Sequence, residues 1–392
     1  MKKKNTCKAL CIITALALFA VVAIVVAEYA ITNSAKEKTF DSVDWIDLPI
    51  GDRFCELVSD VPSLDPILFP DEIDFIDRIA YDQYSDQLIL TAALQGGGRS
   101  LFSYSESAGF IQLWSDLHEF SNGFVDIMRG GVIFARFDQP LVLLRSDDYA
   151  QSWDVITEAL VNPFWTIEEG EGGTLFAPAW SDPLNAPYLY RSDDYGISWT
   201  VWKDFWEIFP EKSKQYDLQD DRRKLRHLHD IVVYGGVILL GTGDVEGQTL
   251  ISRDGGDTWE EITDNGFTSH LLDKDMGTVI LGGDSVTGHG ISTYDFDSGD
   301  YKRKWDPRSC EWSGHFFSML EKGDVYYASA QIENTSGLKY GVLRSLDGEY
   351  WQPFYEFQAT EGDDHVPVYL SDGPENLIFL SLDGALYQFF SE

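Results

Sequence analysis

Four segments share one pattern: Arg145-Ser146-Asp147-Asp148-Tyr149-Ala150-Gln151-Ser152-Trp153, Arg191-Ser192-Asp193-Asp194-Tyr195-Gly196-Ile197-Ser198-Trp199, Ile251-Ser252-Arg253-Asp254-Gly255-Gly256-Asp257-Thr258-Trp259 and Arg344-Ser345-Leu346-Asp347-Gly348-Glu349-Tyr350-Trp351. Each follows an apolar run (Leu141 to Leu144, Tyr188 to Tyr190, Thr249 to Ile251, Gly341 to Leu343), and copies such as Trp153-Asp154-Val155-Ile156 lead into a second one. That is strand, tight turn, strand. Ser and Asp side chains bond the backbone of their own turn, Gly196 and Gly256 suit a positive φ, and the closing Trp is large enough to fill a gap between sheets. A hairpin that recurs at such intervals marks a repeat protein.

The shared pattern Ser-x-Asp-x-Gly-x-Ser/Thr-Trp resembles the Asp-box, or BNR repeat, of the sialidase-like β-propeller superfamily. The match is full at Ser192 and Ser252, has Ala150 in place of Gly at the first copy, and is one residue short at Ser345. The resemblance implies an all-β propeller in which the box residues are structural: Ser146, Asp148 and Trp153; Ser192, Asp194, Gly196 and Trp199; Ser252, Asp254, Gly256 and Trp259; Ser345, Asp347 and Trp351. It also places the boxes on outer hairpins away from the ligand face, so the four Asp are poor catalytic candidates. Sialidase activity is not implied. That chemistry takes three Arg to clamp a carboxylate, a Tyr–Glu nucleophile pair and an acid Asp. Here Arg145, Arg191, Arg253 and Arg344 lie in or beside the boxes, and Asp77-Arg78-Ile79-Ala80 stands where an Arg-Ile-Pro would be sought.

The box intervals of 46, 60 and 93 residues set the blade count. The last fits two blades, with a decayed hairpin near Ile291-Ser292-Thr293-Tyr294-Asp295; Leu101-Phe102-Ser103-Tyr104 followed by Trp114 is another. With four strands per blade, the blades span 73–114, 123–156, 164–202, 226–262, 268–305 and 313–354. The segment 365–391 supplies three strands of a seventh, for which Val43-Asp44-Trp45-Ile46-Asp47-Leu48 would be the fourth. Seven blades is the reading; six is the alternative. Residues 203–225 form the longest insertion, read as a surface excursion.

The chain begins with four Lys in its first eight residues, then runs without a charge from Ala9 to Ala27. These 19 residues would be about 28 Å long as a helix, enough to cross a hydrocarbon core of ~30 Å. Residues 1–8 read as a cytoplasmic basic start, 9–27 as a transmembrane signal anchor, 28–42 as a linker and 43–392 as the propeller, outside the cell. A cleaved signal peptide, giving a secreted protein, is the alternative. The net charge is −36; residues 1–30 hold four Lys and Glu28, so the remainder carries −39. Such a domain excludes nucleic acid as a partner, and a monomer is expected. Cys55 and Cys310 are the cysteines beyond the N-terminal segment and could pair outside the cell. Asn334-Thr335-Ser336 is a lone glycosylation sequon.

At starts of inner strands stand His227-Leu228-His229-Asp230, Ser269-His270, Gly314-His315 and His365; at ends of second strands stand Asp138, Trp180-Ser181-Asp182, Asp244, Asp284 and Glu333. Both positions reach the face opposite the boxes. His227 and His229, two apart, should share one side of their strand. The expected site is therefore a mouth holding His227, His229, His270, His315, Asp182 and Trp180. Imidazoles beside carboxylates suit a ligand, an acid–base pair or a divalent metal, although no metal motif is present and no cofactor is firmly implied. Three functions follow. The first is a membrane-anchored extracellular module that binds a glycan or a surface protein. The second is a glycoside hydrolase with Asp244 and Asp284 as its carboxylates. The third is an assembly or scaffold factor for a membrane complex.

Overall fold

In the computed structural model the described residues are 57–58, 61–116, 123–138, 141–156, 160, 162–180, 186–212, 225, 227–243, 247–284, 290–333, 338–359 and 365–391. The segment 1–42, the strand expected at Val43 to Leu48, Cys55, the sequon, Asp182, Asp244 and most of the 203–225 insertion lie outside them, as do the side chains of Glu333 and His365. Among the described residues no helix is long and apolar enough to cross a membrane.

Seven antiparallel sheets form a β-propeller, six in chain order as strands one to four. Their inner strands are Ile73–Asp82, Gly123–Ile127, Glu168–Glu169, Leu228–Tyr234, Phe267–Asp273 and His315–Lys322; the seventh begins at Val368–Asp372. His365–Val366 adds a short pairing to the second strand of blade 6. The seventh blade is completed by the N-terminal side of the chain, but not by Val43 to Leu48. Asp65–Ile67 takes that place, paired antiparallel with the last strand through Asp65↔Gln388, Pro66↔Tyr387 and Ile67↔Leu386. Three residues with a Pro carry no alternation to read, and a Pro is tolerated because this is the outermost strand.

Among the described residues seven apolar clusters hold the ring, one between each pair of neighbouring blades. Ile280 of blade 5 packs with Leu343 and Trp351 of blade 6, and Phe379 and Leu386 of blade 7 pack with Ile79 and Leu90 of blade 1. The core is thus distributed around the circle, and closure buries the interface that would otherwise stay open.

The repeated hairpins join third to fourth strands in blades 2, 3, 4 and 6. Ser192 Oγ donates to Asp194 Oδ1 at 2.8 Å and accepts from Gly196 N at 2.7 Å, while Asp194 accepts from Ser198 N and Oγ at 2.8 and 2.6 Å. The hairpins at Ser146 and Ser252 repeat these bonds. In the short copy Asp347 Oδ1 instead accepts from Glu349 N and Tyr350 N. Trp199, Trp259 and Trp351 each donate Nε1 to the carbonyl of the turn glycine at 3.1–3.2 Å. In blade 5, Asp295 organises the corresponding turn by accepting from Asp297 N and Ser298 N, and Ser298 Oγ accepts from Asp300 N.

Candidate functional site

The inner strands do not run regularly into the channel. In four blades the pairing to the second strand slips by one residue at equivalent places: Asp77 in blade 1, His229 in blade 4, Thr268 in blade 5 and Phe317 in blade 6. Such a bulge re-aims side chains that strict alternation would separate. Arg78, Asp230, Ser269 and Ser318, which follow the bulged residues, all line the channel.

At the end of the channel opposite the repeated hairpins, three of the predicted histidines meet. The rings of His227 and His229 lie on one side, with centroids 5.9 Å apart. Trp180 donates Nε1 to His227 Nε2 at 3.0 Å and stacks on the ring at 5.1 Å, which leaves the proton of that imidazole on Nδ1. Asp284 joins two blades, with Oδ2 3.2 Å from His229 Nδ1 and Oδ1 3.1 Å from His315 Nδ1. A Cβ at Gly243 would fall 2.1 Å from the His229 ring and 2.5 Å from Asp284 Oδ2, so the second strand must carry glycine there. Trp165 lies against this group, with ring centroids 6.1 Å from Trp180, 6.2 Å from His229 and 6.5 Å from Phe317. Arg136, wholly buried, pairs with Asp138 at 3.0 Å, and its guanidinium lies 5.3–5.9 Å from the rings of Phe164, Phe124 and Trp165.

His227, His229, His315 and Asp284 are buried, and Asp284 is hydrogen-bonded to His315 through Oδ1 while its Oδ2 lies within ion-pair distance of His229. The tier ties blades together. Trp180 retains an exposed edge, and Asp182 and Asp244 lie outside the described residues. Among the described residues no group of three or more His, Cys, Asp or Glu is placed to hold a metal ion. Cys310 is disulfide-bonded, with its partner outside the described residues.

His270 stands apart from the other three, deeper in the channel. Here a cavity of about 480 Å³ runs from Trp165, Phe124 and Phe317 at one end to Arg129, Glu169 and Asp372 at the other. Arg129 and Asp372 are 63% and 53% exposed, so the cavity meets solvent at the hairpin end. That size falls within the range of small-ligand sites. His270 Nδ1 is 2.7 Å from Asp230 Oδ2, and its Nε2 is 3.8 Å from Glu168 Oε2. Burial alone would lower the His270 pKa, but Asp230, Glu168 and Asp126 outweigh it and lift it to about 9. Burial raises Glu168 to about 7 against the opposing pull of His270. Burial also raises Asp126, to about 6, although it accepts bonds from Ile127 N at 2.9 Å and Ile167 N at 3.3 Å. Arg78 lies 4.1 Å over the Tyr369 ring.

Two of these groups, Glu168 and Asp126, carry no mark in the sequence, and Arg78 enters there only in Asp77-Arg78-Ile79-Ala80, which lacks the Pro of an Arg-Ile-Pro motif. Asp230 was quoted beside its histidines, but its partnership with His270 depends on the bulge at His229, which leaves no compositional mark.

No protein-family model matches the chain, and no curated protein sequence does either. Solved structures of similar architecture are β-propellers. YCF48 bound to D1 peptide matches with a TM-score of 0.53 at 15% identity, over 88% of this chain and 100% of that one. Virginiamycin B lyase from Staphylococcus aureus matches with a TM-score of 0.56 at 11% identity, over 84% and 99%. The GH74 enzyme of Niastella koreensis matches with a TM-score of 0.52 at 12% identity, over 83% of this chain and only 53% of the enzyme. At these identities the likeness concerns the fold.

Proposed function

We propose that this chain is a ligand-binding propeller, held outside the cell by an N-terminal membrane anchor, with its central channel as the binding site and a protein segment as its principal ligand class. The carrying observation is the solvent-connected cavity along the inner strands, whose wall holds Asp126, Glu168, Asp230 and His270. Carboxyl groups in a partly dry cavity reduce stability unless a partner satisfies them, and a bound ligand is such a partner. The peptide-bound YCF48 propeller supports a protein segment over a glycan. The hairpin hydrogen bonds support kinship with Asp-box propellers, and that kinship leaves the ligand open.

A second reading, a glycoside hydrolase, is favoured by one observation. Glu168, raised to about 7 by burial, holds a proton near neutrality, as a general acid must. On that reading the carboxylate pair moves from Asp244 and Asp284 to Glu168 and Asp126, because Asp284 is occupied by His229 and His315. The GH74 neighbour supports it at the level of fold.

Thermal-shift measurements on the full chain against a panel of peptides and oligosaccharides test both readings, because a ligand that binds only the folded state raises Tm. Binding predicts a shift in the wild type that is lost in Glu168→Gln. Hydrolysis predicts reducing-end release from a polysaccharide panel, lost in the same variant. Shifts that persist unchanged in Glu168→Gln and His270→Gln would move the site elsewhere and overturn the channel assignment.

A further inference from the structure

We propose that the channel takes a single organic cation, a primary ammonium of the kind that ends a lysine side chain, held by the Glu168 carboxylate beside the aromatic end formed by Trp165, Phe124 and Phe317. This deepens the binding reading above and rests on it.

The argument begins with Glu168. Its side chain is 23% exposed, within the cavity, and among the described residues it has no hydrogen bond; its nearest cation is His270 Nε2 at 3.8 Å. That separation is beyond a hydrogen bond. His270 is already committed through Nδ1 to Asp230 at 2.7 Å, and Asp230 also accepts from Ile231 N at 2.9 Å. The imidazole therefore leaves Glu168 only partly compensated. The charged and titratable groups around Glu168 are Asp126 on blade 2, Glu169 beside it, Asp230 on blade 4, and His270 and Lys274 on blade 5, and Arg78 and Arg129 also line the cavity. Arg129 lies 3.8 Å from Glu169, His270 is 2.7 Å from Asp230, and Asp126 accepts from Ile127 N and Ile167 N, which leaves Glu168 as the carboxylate of this wall without a hydrogen bond among the described residues.

The shape of the cavity points the same way. Its end away from the hairpins is aromatic, and its wall near Glu168 also holds Asp126, Glu169 and Asp230. An ammonium gains from ring faces and from carboxylates alike, whereas an anion would meet repulsion and a neutral alkyl group would leave Glu168 unsatisfied. The cavity of about 480 Å³ accommodates a lysine side chain with part of its backbone. A cation there would hold Glu168 ionised, so binding below its pKa of about 7 must release a proton.

The test is isothermal titration of the 392-residue chain with two amine probes, n-butylamine and an N-acetylated Gly-Lys-Gly amide, and with the isosteric norleucine peptide as the neutral control. If the cation carries binding, the lysine peptide binds and the norleucine peptide does not. Affinity then rises about tenfold from pH 6 to pH 8 as Glu168 ionises. Titrations in buffers of different ionisation enthalpy show close to one proton released per ligand at pH 6. Glu168→Gln, whose own melting curve reports folding, loses about tenfold or more in affinity together with the pH dependence. Binding of butylamine equal to that of the peptide identifies a free amine as the ligand; a large peptide advantage identifies a protein side chain. Equal binding of the lysine and norleucine peptides, or a Glu168→Gln variant with unchanged affinity, overturns the cation assignment. A neutral oligosaccharide that binds in a Glu168-dependent way, while no amine binds, overturns the cation and leaves the channel reading standing.

Discussion

Glu168 and His270 carry the pH behaviour of the channel. A group whose pKa is higher folded than unfolded contributes its stability below the unfolded value and loses it as pH rises through the folded one. For Glu168, raised to about 7 by burial, that window runs from its ordinary range to neutrality. Glu168→Gln should therefore match the wild type near pH 4 and exceed it by about 3 kcal/mol at pH 8, in urea unfolding monitored by tryptophan fluorescence. A wild type more stable than the variant at pH 8 would contradict this. For His270, lifted to about 9, the Asp230 pair stabilises fully below about pH 6.5 and fades as pH rises through 9. His270→Gln should be less stable than the wild type at pH 6, and the gap should close by pH 10. The sequence exposed His270 as a member of a recurring set, but it could not show that this imidazole parts from the other three. One extra residue in the inner strand of blade 4 sends Asp230 toward the channel. The bulge is decided by packing of neighbouring strands, and His-Leu-His-Asp reads the same with or without it.

The repeated hairpin was legible because its turn chemistry is local: every bond that defines it runs between residues two to four apart. Even so, the four copies are not equivalent. Gly196 has φ +84, and a Cβ there would lie 2.2 Å from Phe134 Cζ of the neighbouring blade. Ala150 occupies the same hairpin position in blade 2 with φ 65 and is tolerated. Gly196→Ala should thus lower stability by about 2–4 kcal/mol through backbone strain and overpacking, whereas Ala150→Gly should change it by less than about 1 kcal/mol. Chemical denaturation of the two variants decides the point; equal effects would mean that the turn, and not the interblade contact, sets the requirement. The seventh blade was harder to read. Its last three strands announce themselves as apolar runs, but Asp65–Ile67 is too short for alternation, and the longer hydrophobic stretch at Val43 to Leu48 drew the assignment instead.

At the scale of the molecule, the core of the described residues lies in seven interblade clusters rather than one centre, and the ring closes without a covalent link in blade 7. Removal of residues 1–68 would delete the closing strand and bare the edge of Ala385–Phe390. The expected result is a lower Tm and concentration-dependent self-association on size-exclusion chromatography, since an unpaired edge recruits other strands. An unchanged monomer with an unchanged Tm would show that the outer strand is dispensable. The fold class and the order of blades follow from the hairpin repeat because repetition is written along the chain. The channel is composed across the chain, from one or two residues of each blade, and no window of sequence contains it.

The closing strand also sets a schedule. Ile67 and its partner Leu386 stand 319 residues apart, so the first described β-segment of the propeller to leave the ribosome is the last to find its place. At about 5–20 residues per second that wait lasts roughly a quarter-minute to a minute. Six blades can assemble in order during translation, each against its predecessor. The final pairing must await the C-terminus, and a nascent chain released early leaves behind an open ring with its first and last interfaces bare.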